Sequence, residues 1–167
     1  MHYLAGAWSA PLLRNNKKTL SHEAVVHIQD QKVLLAIPTT YMNESGIAVS
    51  ALSHYYDVSS DNIWVLHDDL DIDIGTFKIA FNRGDAGNNG IRSISQRLGT
   101  QEYYRWRIGI RGTAHSIFGA IRKSFVLAAF KKGDAESVNA LYPAIKDSLE
   151  LALYKDPAAA MNKYNQS

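Results

Sequence analysis

Short β-branched apolar runs alternate along this chain with segments of helical period, and this alternation limits the fold more than any other feature. The runs at residues 24–29 and 33–37 flank a polar turn, which predicts a β-hairpin. Apolar residues then recur at helical spacing over residues 42–56, and Thr39 or Thr40 is placed to cap that helix. A hairpin followed directly by a helix predicts a fold that mixes both kinds of element.

The rest of the chain continues the alternation. Strands are predicted at residues 62–66, 76–81 and 105–110, and helices at residues 88–98, 124–130, 135–153 and 157–164, with a break at Pro143. No repeat, low-complexity tract or linker interrupts these elements. The sequence therefore predicts one α/β domain over residues 1–167, a three-layer sandwich whose mixed central sheet has helices on both faces.

Three missing features exclude whole classes of protein. No apolar stretch approaches the roughly 20 residues of a membrane span, and residues 1–20 lack the pattern of a secretory leader, so we expect a cytoplasmic protein. The chain has no cysteine, which excludes disulfides, thiolate metal sites and cysteine nucleophiles.

The net charge of +2 conceals a strong separation of charge along the chain. Residues 44–73 hold seven acids and no Lys or Arg, whereas residues 83–132 hold ten bases against Asp85 and Glu102. Such a basic segment suits a phosphate-rich partner such as nucleic acid. It equally suits a solvated surface that the acidic segment balances, and both interpretations stay open at this point.

Two polar clusters follow predicted strands. Residues 38–43 leave a strand and enter a helix, so main-chain N–H groups and the Asn43 amide would face one cleft; the alternative is an ordinary helix cap. Residues 67–73 place four carboxylates beside His67. A hard-cation site, a carboxylate that orients a catalytic histidine and a solvated acidic turn all fit that cluster.

Two further clusters carry neutral amides and cations. Residues 84–90 form a Gly-rich loop without the lysine and hydroxyl of a phosphate-binding P-loop, so its asparagines either cap the next helix or hold a peptide or ester group. The period of a strand puts three cations on one side: Arg105, Arg107 and Arg111. Their anions would be Asp68 or Asp71 within the fold, or a phosphodiester backbone.

Taken in order, these clusters resemble the bacterial-type peptidyl-tRNA hydrolases. Five motifs of the family stand here in order. The first two are Pro-Thr-Thr-aromatic-Met-Asn-x-Ser-Gly at residues 38–46 and His-Asp-x-Leu-Asp at 67–71. Gly-His-Asn-Gly follows at 87–90, with Asn88 in place of the histidine, and then Arg-x-Arg-Ile-Gly-Ile at 105–110 and aromatic-Val-Leu at 125–127. The resemblance implies a hydrolase that releases free tRNA and peptide by cleaving the ester between them during translation. It implies no metal and no organic cofactor.

The resemblance also implies roles for individual residues. A histidine oriented by the carboxylate of Asp68 activates water, while loop amides hold the peptide backbone. The substrate-binding positions hold Tyr41, Met42, Asn43 and Asn89. The cationic strand then offers Arg105 and Arg107 to the tRNA backbone. The implied partners are peptidyl-tRNA and tRNA, bound by a monomer that has no membrane association.

The amino-terminal residues depart from the family pattern. Family members begin with an apolar strand and a Gly-Asn-Pro-Gly loop, followed by Thr-Arg-His-Asn-x-Gly, whose histidine is the catalytic base. This chain covers only the end of that motif, with Tyr3 at the position of the histidine, and we expect the missing strand to be encoded upstream. A phenol is a poor base at neutral pH, so His2 is the predicted base. His67 is the weaker candidate, because its side chain points to the opposite face of the strand from Asp68.

Two hypotheses from other classes stay open. One is a homologue that binds tRNA without turnover, inactive because the family's base is missing. The other is a divalent-metal hydrolase whose ligands would be Asp68, Asp69, Asp71 and Asp73. Hydrolysis that persists in a chelator would eliminate the metal hydrolase.

Overall fold

The computed structural model describes residues 1–112 and 132–166. The chain divides into two compact units. The first unit comprises residues 1–65 and 81–104, and the second comprises residues 66–80 and 105–167. The predicted helix at 124–130 and the aromatic-Val-Leu segment lie outside the described residues. Within the described part of the chain, no helix combines the length and apolarity needed to cross a membrane.

The first unit contains a three-stranded antiparallel sheet in the order β1-β2-β3. The strands are Arg14–Asn16 (β1), Ser21–Ile28 (β2) and Gln31–Pro38 (β3). The turn between β2 and β3 has only two residues, and Gln29 adopts the positive φ, 54°, that so tight a hairpin needs. β2 buries alternate residues on one face: Ala24, Val26 and Ile28. The predicted hairpin is confirmed, and both strands begin earlier than predicted, at Ser21 and Gln31.

Three helices belong to the described residues of the first unit: His2–Ala7 (α1), Ser45–Tyr56 (α2) and Asn89–Leu98 (α3). A 3₁₀ turn at Met42–Glu44 leads into α2, and a second lies at Ser60–Asn62. We call the turn at Met42–Glu44 the lead-in turn. The predicted threonine caps are wrong, because this turn directly precedes α2 and its own cap residue is Tyr41. Ile91 and Ile94 of α3 pack with Tyr103 in a core where each is at most 3% exposed.

A second three-stranded sheet has the order β4-β6-β5. Its strands are Trp64–Asp73 (β4), Phe77–Phe81 (β5) and Tyr104–Arg111 (β6). The strand predicted at 62–66 is therefore wrong in extent, since β4 continues through the acidic cluster. The physical reason is pairing between strands: Asp69 and Asp73 of β4 form ion pairs with Arg107 and Arg111 of β6.

Three helices lie in the described carboxyl-terminal part of the second unit: Lys132–Ala140 (α4), Tyr142–Tyr154 (α5) and Pro157–Tyr164 (α6). Pro143 sits in the first turn of α5, where its missing N–H costs no helical bond, and the predicted break falls at Leu141. The carboxylate of Asp156 caps α6. The indole N–H of buried Trp106 on β6 donates to Ser148 Oγ at 2.8 Å, which anchors α5 to this strand.

Candidate active site

An open cleft of about 300 Å³ in the first unit lies between the lead-in turn of α2 and one face of α3. Its lining residues are all polar: Asn43, Asn89, Arg92, Ser93 and Gln96. The four from α3 follow one another at positions i, i+3, i+4 and i+7, which share a helix face. The volume is at the small end of the range for ligand sites, and the lining of amides, a hydroxyl and one cation suits a polar ligand.

Two glycines allow the two walls of the cleft to approach closely. A Cβ at Gly46 would overlap the main-chain carbonyl of Ser93, so the contact between α2 and α3 requires glycine there. The N–H of Gly46 also donates to Ser93 Oγ at 3.1 Å. On the other side, a Cβ at Gly90 would lie 3.2 Å from the main-chain oxygen of Met42. These two contacts hold the lead-in turn against the start of α3.

The carboxamides of Asn43 and Asn89 line this cleft from its opposite walls. Both residues are exposed, and among the described residues neither carboxamide has a hydrogen-bond partner. A free amide offers donors and an acceptor without the desolvation cost of a charge, which matches the groups of a peptide backbone. Tyr41 and Met42, next to Asn43, are 78% and 51% exposed and add apolar surface. The structure thus brings the four predicted substrate-binding residues onto two adjoining segments.

The Gly-rich loop before α3 uses its two asparagines differently. Asn88 caps the helix, since its Oδ1 accepts the N–H of Ile91 at 3.1 Å. The cap interpretation is therefore confirmed for Asn88, while Asn89 begins the helix and lines the cleft. Ala86 and Gly87 both adopt left-handed backbone, with φ of 51° and 81°. That conformation costs an alanine about 1–2 kcal/mol, so other contacts must stabilise the loop.

Asp68 and His67 are neighbours on β4 in the second unit. Asp68 is half-buried, and Nδ1 of His67 donates to the main-chain oxygen of Asp68 at 2.7 Å. Burial lowers the pKa of the His67 imidazole below its ordinary value of 6.5, although its hydrogen bond to Asp68 acts in the opposite direction. The main-chain carbonyl of Asp68 therefore orients the imidazole ring through Nδ1.

Arg105 and Arg107, the predicted tRNA contacts, are both buried. Both lie in β6 and are only 1% and 6% exposed. Nε of Arg107 donates to Oδ2 of Asp69 at 2.8 Å, so the internal anion of Arg107 is neither Asp68 nor Asp71. A guanidinium enclosed in this way is not accessible to a phosphate on the surface. The strand period identifies residues on a common side but does not show whether that side is buried.

The aspartates of the metal hypothesis are distributed along β4 and engaged by protein groups. Asp69 pairs with Arg107, and Asp73 pairs with Arg111 at 2.8 Å. The main-chain N–H of exposed Asp71 donates to Asp69 Oδ1 at 2.8 Å. Residues 1–112 and 132–166 contain no group of three His, Asp or Glu side chains arranged to hold a metal ion. Arginine thus neutralises two of the four carboxylates of the acidic cluster.

His2 is the first residue of α1 and is exposed to solvent. Tyr3 beside it is 40% exposed, and the buried face of this short helix consists of Leu4 and Ala5. His2 belongs to the first unit, as the carboxamides do, and Asp68 belongs to the second. The pairing of His2 with Asp68 therefore stays a prediction.

Three residues of the cleft were missed by the sequence reasoning: Arg92, Ser93 and Gln96. Their helical spacing from Asn89 is visible in the sequence and places them on one face. Identifying that face as the wall of a cleft needs the position of the lead-in turn, which only the packing of α2 against α3 supplies.

Comparison with known proteins identifies a family. A family model described as peptidyl-tRNA hydrolase matches residues 1–167. A peptidyl-tRNA hydrolase from Mycobacteroides abscessus is 34% identical over 160 residues, which cover 96% of this chain and 80% of the relative. One from Clostridium perfringens is 31% identical over 163 residues, covering 98% of this chain and 83% of the relative.

Solved structures agree with these relatives. The crystal structure of peptidyl-tRNA hydrolase from Acinetobacter baumannii matches 99% of this chain and 82% of its own, with a TM-score of 0.88 and 25% identity. A crystal structure of a peptidyl-tRNA hydrolase in complex with N-propanol has a TM-score of 0.89 at the same identity, and also covers 99% of this chain and 82% of its own. The predicted α/β fold, a mixed sheet with helices, is confirmed by this likeness.

Proposed function

The chain belongs to the peptidyl-tRNA hydrolase family, and from this membership we propose how its residues cleave the ester between a peptide and the terminal ribose of tRNA. The observation that carries the proposal is the pair of carboxamides, Asn43 and Asn89, which lie on opposite walls of one polar cleft and have no partner within residues 1–112 and 132–166. Each amide can donate to a peptide carbonyl and accept from a peptide N–H, so the pair holds the peptide backbone. Tyr41 and Met42 supply the exposed apolar surface beside it.

In the proposed reaction, the imidazole of His2 takes a proton from water as the water oxygen attacks the ester carbonyl carbon. The carboxylate of Asp68 orients that imidazole and stabilises its protonated form. When the bond to the ribose oxygen breaks, the proton passes from the imidazole to that oxygen. The products are a free peptide and a tRNA with a free terminal hydroxyl, so atoms and charge balance without a metal or organic cofactor.

We also propose that a single chain acts in the cytoplasm, where translation makes peptidyl-tRNA. The tRNA backbone is a polyanion, and residues 83–132 carry ten bases against two acids. Arg105 and Arg107 are buried, so the phosphate contacts are assigned to other basic residues. Because each contact releases counterions, we expect KM for peptidyl-tRNA to rise with salt while kcat changes little.

The test is release of tRNA from a model peptidyl-tRNA by the wild type and by Asp68→Asn, His2→Gln, Asn43→Ala and Asn89→Ala. Asp71→Asn is the matched control, since it makes the same chemical change on the same strand at an exposed position. We expect Asp68→Asn and His2→Gln each to lower kcat/KM by about 10²-fold or more. Equal rates for Asp68→Asn and the wild type would reject the role of Asp68.

The same assay separates the alternatives. If the wild type binds tRNA but releases none, the inactive homologue is favoured. If a chelator abolishes hydrolysis, or if Asp71→Asn is as impaired as Asp68→Asn, the metal hydrolase is favoured. Continued hydrolysis in chelator with an unimpaired Asp71→Asn supports the ester hydrolase proposed here.

A further inference from the structure

One side chain, Asp85, connects the Gly-rich loop to the first turn of α3. Its Oδ1 accepts the main-chain N–H of Gly87 at 2.7 Å. Its Oδ2 accepts Nε of Arg92 at 3.1 Å, and Oδ1 also accepts Nη2 of Arg92 at 3.3 Å. The main-chain oxygen of Asp85 accepts the N–H of Asn88 at 2.9 Å. One residue therefore contacts the middle of the loop, its end and the helix that follows.

These contacts stabilise a backbone that the sequence alone would not favour. Between Asp85 and the helix, Ala86 and Gly87 are both in the left-handed region, and an alanine adopts that region only where its surroundings impose it. The hydrogen bond to the Gly87 N–H and the ion pair to Arg92 close the loop around Ala86. Without the Asp85 carboxylate, fewer contacts would hold the loop in this strained conformation.

The loop ends at the residue that lines the cleft. Asn89 directly follows the cap residue Asn88, and Arg92 lies one turn further along the same helix face. The direction of the Asn89 carboxamide therefore depends on the backbone that Asp85 holds. Asp85 itself is not among the lining residues, so it acts through other residues and not by contact with the peptide.

We propose that Asp85 is a positioning residue for peptidyl-tRNA hydrolysis: by binding Gly87 and Arg92 together, it fixes the loop that aims the Asn89 carboxamide into the cleft. The proposal rests on the proposed function, because it presupposes that Asn89 contacts the peptide. It also assigns Arg92 a structural function, with its guanidinium held by Asp85. If Arg92 instead bound the substrate, Asp85 would compete for that cation, and its removal would improve binding.

The experiment compares kcat/KM on a model peptidyl-tRNA for Asp85→Ala, Asp85→Asn, Asn89→Ala and the double variant of Asp85→Ala with Asn89→Ala. Asp73→Ala is the control, because it removes another exposed Asp–Arg pair, in which Nε of Arg111 donates to Asp73. We expect Asp85→Ala to lower kcat/KM about tenfold, less than the roughly hundredfold that a 1 Å misplacement can cost. Asp85→Asn keeps an oxygen for the Gly87 N–H, so its loss should be smaller.

The double variant distinguishes positioning from general destabilisation. If Asp85 acts through Asn89, its removal in the Asn89→Ala background should change kcat/KM by less than about twofold. Hydrogen exchange at the Gly87 amide should accelerate in Asp85→Ala. If Asp85 had a structural role alone, Asp85→Ala would lower the melting temperature, and the effects of Asp85→Ala and Asn89→Ala on kcat/KM would be independent of each other.

Each remaining outcome has a distinct meaning. If Asn89→Ala is impaired and Asp85→Ala matches the wild type or gains activity, the positioning role is overturned and the proposed function stands. If the two single losses in kcat/KM multiply in the double variant, the positioning role of Asp85 is also overturned and the proposed function stands. If Asn89→Ala itself retains full activity, the assignment of Asn89 to the peptide fails, and the role of Asp85 fails with it.

Discussion

The guanidinium of Arg107 and the carboxylate of Asp69 form a buried ion pair between β6 and β4, with Nε and Oδ2 2.8 Å apart. Their side chains are only 7% and 6% exposed. The second oxygen of Asp69 accepts the main-chain N–H of Asp71, so this carboxylate has a partner at each oxygen. The pair links β4 to β6 and removes Arg107 from the protein surface.

Arg107→Ala should destabilise the protein strongly. Removing one partner of a buried pair leaves an uncompensated charge, which costs about 3–5 kcal/mol. We expect a decrease of that size in the free energy of unfolding, measured by urea denaturation. Replacing both partners with apolar residues, as in Arg107→Met with Asp69→Leu, should cost less than either single change. A variant Arg107→Ala as stable as the wild type would contradict a buried pair.

Gly46→Ala should separate α2 from α3 at the cleft. The added methyl would overlap the main-chain carbonyl of Ser93, and backbone cannot move aside as a flexible side chain can. Overpacking of this kind costs about 1–3 kcal/mol, and the displaced turn should also raise KM. Gly6→Ala in α1 is the control, because nothing lies within 4 Å of its added Cβ. Equal effects of the two substitutions on stability would show that the helix contact is not tight.

Glu23 should make stability depend on pH in the acid range. Its carboxylate on β2 accepts hydrogen bonds from Tyr56, Asn16, Thr19 and Ser21. Burial opposes ionisation, yet these bonds together hold the pKa of Glu23 below its ordinary value of 4.5. The stabilisation is therefore complete above pH 4.5 and is lost as pH falls through the lower pKa of the folded state.

Unfolding of Glu23→Gln measured against pH tests this dependence. The difference in unfolding free energy between wild type and variant should shrink as the pH falls below 4.5. Tyr56→Phe, which removes one of the donors, should cost about 0.5–1.5 kcal/mol at neutral pH. A difference that stays constant down to the lowest measurable pH would show that Glu23 has the same pKa in both states.

His67 should titrate below its ordinary range. Its pKa is lowered chiefly by burial. Just below pH 6.5 the imidazole is therefore protonated in the unfolded chain while it is still neutral in the folded protein. The free energy of unfolding should therefore decrease as pH falls below 6.5, toward the pKa of the folded state. An NMR titration, with the signal assigned by its loss in His67→Gln, should give a midpoint below 6.5. A midpoint at or above that value would contradict the burial of the ring.

Local patterns predicted most of the elements. The hairpin, α2, α3, β5, β6 and α6 were all expected near their observed bounds, because each follows from the period of its own apolar residues or from a proline at a helix start. The family resemblance came from the order of the motifs along the chain, and the four substrate-binding residues were what that resemblance implies. Asn43 and Asn89 were identified in this way, and the structure places both on one cleft.

What the sequence determined by itself is the alternation of strands and helices, the family and the identity of the chemical groups. What only the tertiary structure decided is which groups are exposed and which groups face one another. Asp69 and Arg107 lie far apart in sequence and their pairing depends on the register of β4 and β6, so neither the length of β4 nor the burial of Arg107 was predictable. Solvent exposure and the partners of a charge are set by packing between distant segments, and periodicity carries only local information.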